Sequence, residues 1–124
     1  MANPNIVSVN SIFGNTTGIA LTTTLTTVLL ANATSSGKVF KIESIMVANV
    51  DGTNAADVTV DINTAAAGSG TSYALAHTIS VPADATLNLI DKNSSFYLME
   101  DKSILGGASA NSDLEIIISY EIIN

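Results

Sequence analysis

The sequence predicts an all-β protein: an antiparallel β-sandwich, jelly-roll-like, of about eight strands. Three observations predict it. Short alternations of apolar and polar residues recur along the chain, bounded by Gly, Asn, Asp and Pro. No stretch combines sustained helical periodicity with capping signals at both ends. And 124 residues with 47% hydrophobic side chains suffice for one domain with a core of its own.

The elements follow in order. Val7, Val9 and Phe13 alternate with Ser8 and Asn10 as an opening strand, and Asn15 to Gly18 read as a turn. Ile19, Leu21, Thr23 and Leu25 share one face. A Thr/Val/Leu run at 26–31 favours strand, and 32–37 is a polar loop. Residues 38–50 make the longest candidate strand. Phe40 and Ile42 alternate against Lys41 and Glu43, but Ile45 and Val47 are apolar in the opposite phase. Either a β-bulge near Ser44 re-aims the strand or both faces are covered.

Asp51-Gly52 supplies a tight turn. Val58, Val60 and Ile62 then face inward, with Asp57, Thr59, Asp61 and Asn63 outward. The small residues of 65–71 read as a mobile loop. Tyr73, Leu75, His77, Ile79 and Val81 share a face until Pro82 ends the strand. Leu87 with Leu89, then 96–99, mark two short strands, and Ile104 with Leu105 precede Gly106-Gly107. The last strand places Leu114, Ile116, Ile118, Tyr120 and Ile122 on one face. The expected organisation is an N-terminal arm or edge strand at 1–17 and a single sandwich domain at 18–124.

Composition excludes several kinds of function. Eleven acidic residues against four basic ones give a net charge of −7, which repels nucleic acid and anionic lipid. No cysteine is present, so neither disulfides nor thiolate metal sites are available. The opening Met1-Ala2-Asn3-Pro4 has no basic n-region and leads into no apolar h-region, so no secretory signal is expected. No window reaches the ~20 apolar residues of a membrane span.

Catalytic and metal-binding patterns are equally thin. The single histidine, His77, has apolar face-mates and reads as a partly buried or interfacial imidazole without a triad around it. Asp57 and Asp61 lie about 13 Å apart along a strand, too far to share one metal. Residues 51–54 hint at a calcium loop but lack its twelve-residue ligand spacing. Gly68-Ser69-Gly70 lacks both the third glycine of a dinucleotide loop and the lysine of a P-loop. No cofactor, metal or catalytic residue is expected.

What remains is an interface signal. Ile117 and Ile123 interrupt an otherwise polar face, and the run containing Ile45 and Val47 has no wet side. These four residues are candidate intersubunit contacts; the alternative is cover by a second layer of the same domain.

Several segments together carry a family likeness. They are Lys38-Val39-Phe40-Lys41-Ile42-Glu43-Ser44-Ile45, Leu75-Ala76-His77-Thr78-Ile79-Ser80-Val81-Pro82-Ala83, Phe96-Tyr97-Leu98-Met99-Glu100, Gly107-Ala108-Ser109-Ala110 and the closing Ser119-Tyr120-Glu121. From about Gly18 onward the chain resembles the small all-β virion structural proteins of tailed bacteriophages, particularly marine and cyanobacterial ones. The resemblance implies a non-enzymatic part present in many copies on a virion and made in the host cytoplasm. The leading expectation is a capsid decoration or cement protein, a threefold homo-oligomer on the major capsid protein or another virion protein. A tail, neck or fibre accessory and a glycan-binding adhesion module are the alternatives. Neither nucleic acid nor membrane is an expected partner.

Overall fold

The computed structural model describes residues 3–124. Nine strands follow one another: β1 (Ile12–Ala20), β2 (Thr27–Asn32), β3 (Val39–Asn49), β4 (Ala56–Asn63), β5 (Ser72–Val81), β6 (Thr86–Ile90), β7 (Phe96–Leu98), β8 (Lys102–Ala108) and β9 (Leu114–Ile123). One sheet runs β1-β9-β3-β6, with β7 also on β3; the other runs β2-β8-β4-β5. Every pairing is antiparallel. The pairs β1–β9, β2–β8, β3–β6 and β4–β5 nest inside one another. One long hairpin rolled over itself gives that order, which is the jelly roll. It buries both inner faces against each other without a helix.

The expected bulge is present. Against β9, the register of β3 shifts between Ile42 and Ser44, so the inward phase passes from Phe40 and Ile42 to Ile45 and Val47, all buried. The extra residue also turns Met46 outward, where it pairs with Ile117. Across β3, the place of one full strand is shared. β6 pairs with residues 45–48 and β7 with 40–42, separated by a 3₁₀ turn at Lys92–Ser94. Asp91 caps that turn by accepting the Asn93 N–H at 2.9 Å.

Three of the four candidate intersubunit residues are corrected by this packing. Ile45 and Val47 lie in the sandwich core, because the bulge re-aims them inward. Ile123 is also buried. It pairs with Val39 at the end of the sheet, where Asn3, Pro4 and Ile6 line a depression together with Val39, Tyr97 and Met99. Ile117 alone stays exposed, at 37%.

The leading region also departs from expectation. The expected turn at Asn15–Gly18 is the middle of β1, which pairs with β9 without interruption from Ile12 to Ala20. The 17/18 boundary therefore falls inside one strand. Met1 and Ala2 of the expected arm lie outside the described residues. β1 has too few apolar residues to signal a strand, and its neighbour β9 supplies the template. The expected Ile19–Leu25 face breaks at Leu21. Residues 22–25 leave the first sheet and cross the outside of the second, over Gly107, where any Cβ would sit within 2.9 Å of backbone atoms of Thr22, Thr24 and Leu25. Glycine is required there by close approach.

Three asparagines do work that their polarity conceals. Asn32, Asn49 and Asn63 each end a strand and are buried. Asn32 donates to Lys38 O and Leu98 O and accepts from Ser36 Oγ. Asn49 donates to Asn54 O and Val81 O and accepts the Asp51 N–H. Asn63 donates to Gly70 O and Ser72 Oγ and accepts two backbone N–H groups, from Ala65 and Gly70. Each satisfied amide ties the following loop to its strand. Loop 65–71, expected from its composition to be mobile, is hydrogen-bonded to Asn63 at Ala65 and Gly70, and Gly68 lies close to Leu105 and Val28.

Candidate functional site: the sheet edges

The side chains with chemical potential are not brought together. His77 is exposed on β5 and not partly buried, the first of the two settings its face-mates predict. The register of β4 against β5 shifts twice, between Val58 and Asp61, and Thr78 adopts a left-handed φ of 50°.

 Thr78 is β-branched and sits mid-strand, where this conformation is a true outlier. These irregularities change the phase of β5, so Ala76 and Val81 turn inward while His77 and Ile79 turn out. Asp57 and Asp61 are half-buried and in no ion pair; the one ion pair among the described residues joins Lys41 to Glu43 at 3.5 Å. Among the described residues no three His, Cys, Asp or Glu side chains gather as metal ligands.

Two carboxylates are committed to holding loops. Asp51 accepts the Thr53 N–H at 2.9 Å, and that bond, with further ones from Asn54, holds its carboxyl below the usual range. Asp101 is lowered in the same way by the Ala66 N–H and then by the Thr34 hydroxyl, with Lys102 adding a smaller attraction. Asp51 thereby serves its own turn. Glu100 is different. It is 8% exposed, and neither carboxylate oxygen has a hydrogen-bond partner. Sequence reasoning missed it, since Glu100 lies in a polar Glu-Asp-Lys run that looks solvated.

The surface depressions are shallow. One of them, lined by Thr23, Asp57, Thr59, Thr78 and Ser109 among others, holds about 250 Å³, below the roughly 300 Å³ at which small-molecule sites begin. Of the aromatic side chains, Phe13, Tyr73 and Tyr97 are exposed. They stand on three different strands, β1, β5 and β7, and line no common groove.

The distribution of charge is the most informative feature. Lys41, Glu43, Asp57, Asp61, Lys102, Glu115 and Glu121 lie on the central strands β3, β4, β8 and β9. The edge strands β1, β2, β5 and β6, and the short β7, contain no Asp, Glu, Lys or Arg. Monomeric β proteins do the reverse and place charge on their edges, because an edge exposes unpaired N–H and C=O groups to other chains. Beside the β1 edge, Ile117 and Met46 form an exposed apolar pair on the outer face of the sheet, next to Gly18, Ala20 and Ala48.

Comparison with known proteins adds a likeness of fold. No protein-family model matches the chain, and no curated protein matches it. Among solved structures, a chain described under "Bacillus endospore appendages form a novel family of disulfide-linked pili" superposes with a TM-score of 0.53 at 17% identity, covering 99% of this chain and 94% of that one.

Proposed function

We propose that this protein is a non-enzymatic structural subunit that assembles with copies of itself through its sheet edges. The carrying observation is the absence of charge from every edge strand of a molecule whose net charge is −7. Charge is kept where it maintains solubility and left off where chains would meet.

The resemblance to tailed-phage virion proteins supports a place on a virion, with decoration or cementing of the capsid as the leading role and the major capsid protein as the neighbour. Many identical weak contacts on a lattice add to firm attachment without a cofactor. The pilus protein sharing the fold is described as disulfide-linked. This chain has no cysteine, so disulfides are excluded, and the uncharged edges favour hydrogen-bonded and apolar contacts. A tail, neck or fibre location is the second virion reading. A glycan-binding module is the reading from another class, favoured by exposed Tyr73 and Tyr97.

Quantitative mass spectrometry of purified particles tests the placement. Copies matching a capsid lattice are expected, and particles stripped of the protein should release DNA at a lower temperature. Copies matching a single vertex would move the protein to the tail, and absence from particles would overturn the virion role.

A further inference from the structure

β1 is the edge best built to receive another strand. It is nine residues long and pairs with β9 without a register shift, whereas β2 and β5 carry shifts against their neighbours and β6 has five residues. It is exposed over most of its length, with Phe13 at 61%.

The hydrogen-bond phase of β1 is fixed at both ends. Ser11 and Asn124 exchange both backbone bonds, and the Leu21 N–H donates to Leu114 O at 2.8 Å. Odd-numbered residues therefore bond to β9, and the N–H and C=O groups of Ile12, Gly14, Thr16, Gly18 and Ala20 point to the free side. The Thr16 N–H agrees: it donates to the side-chain Oδ1 of the preceding Asn15 at 2.9 Å.

The sequence of β1 is self-complementary about Thr16. Read antiparallel against itself, Phe13 meets Ile19, Gly14 meets Gly18, Asn15 meets Thr17 and Ile12 meets Ala20. This register pairs aromatic with β-branched, small with small and polar with polar. The outward-pointing backbone groups meet as hydrogen-bonded pairs, about ten bonds in total once the Asn15 side chain gives up the Thr16 N–H. No charge opposes a like charge. An isologous two-fold contact requires such self-complementarity.

We infer that two copies of this chain join β1 to β1, antiparallel with Thr16 opposite Thr16 on the two-fold axis, into one sheet continuous across the pair. This rests on the self-assembly reading above and specifies its contact. A threefold ring would then use a different edge, and the β1 contact would link one ring to the next.

The test uses the absence of native cysteine. In a hydrogen-bonded antiparallel pair the two Cα atoms lie about 5.5 Å apart, within reach of a disulfide. Thr16→Cys should therefore form covalent dimers under mild oxidation at least about tenfold faster than Asn88→Cys, which places a thiol on the exposed β6 edge instead. Thr16→Lys, which sets two ammonium groups face to face, should raise the midpoint concentration of association about tenfold while circular dichroism is unchanged. If the protein sediments as an oligomer but Thr16→Cys links no faster than Asn88→Cys, or Thr16→Lys leaves association unchanged, the β1 contact is overturned and self-assembly stands. A monomer at every concentration overturns both.

Discussion

β1 and β5 are both long edge strands without a charged residue, yet they are built in opposite ways. β1 is regular along its whole length and leans on one neighbour. β5 is broken in register and holds Thr78 in a left-handed conformation. Loop 65–71, hydrogen-bonded to Asn63, leads directly into it. Irregular edges twist away from foreign strands, and regular ones invite them. The comparison teaches that charge is not the only guard on an edge: β5 is protected by shape and β1 by nothing. β1 is accordingly the edge we propose for assembly.

The comparison can be broken from beneath. Ile118 lies under β1, opposite Thr17, and is fully buried. Ile118→Asp buries an unpaired charge and should cost more than about 4 kcal/mol, unfolding the domain. Ile117→Asp, one residue along on the outer face, should leave a folded chain by circular dichroism. If both variants unfold, Ile117 is core and the exposed patch beside β1 is lost from the account.

The β5 side can be loosened. Asn63→Ala removes four hydrogen bonds and leaves buried backbone groups unpaired, for an expected loss of about 1–3 kcal/mol. Loop 65–71 should become protease-sensitive while association through β1 is unaffected. Glu100→Met, which removes a buried carboxylate without a partner, should stabilise by about 1–3 kcal/mol in denaturant titration. Destabilisation by that change would mean the carboxylate has a role in holding the fold.

Smaller effects sharpen the picture. Thr78→Gly should relieve left-handed strain and gain about 0.5–1 kcal/mol, net of the flexibility glycine adds to the unfolded chain. Acid should act on the loops of Asp51 and Asp101. Both carboxyls are lowered in the folded state, so their contribution is present above the unfolded value of 3.8 and is lost as pH falls through the lower folded values. Amide exchange at Thr53 and Ala66 should quicken there first, and uniform exchange across the chain would contradict it.

Much of the architecture was legible in the residues. The phase change from Phe40 and Ile42 to Ile45 and Val47 announced the bulge in β3, and the alternation of Val58, Val60 and Ile62 announced β4. The same phase change misled about function, since a bulge and a covered outer face look alike until the partner strand is known. Asn63 looked like an outward polar residue because a one-dimensional pattern does not reveal what its amide will bond. His77 and β5 were misread because two register shifts and a positive φ leave no mark on side-chain type. β1 was hidden for another reason: an edge strand with both faces exposed has no apolar stripe, and Asn-Thr-Thr-Gly resembles a turn. The segment proposed to carry assembly was thus the one least visible to hydrophobic periodicity.

Sedimentation equilibrium of the purified chain at low and high salt tests the central claim most directly. Copies that carry like net charge but meet through uncharged edges should associate more tightly as salt screens their repulsion. Association that weakens with added salt would place ion pairs in the contact and contradict the account, as would a chain that stays monomeric throughout.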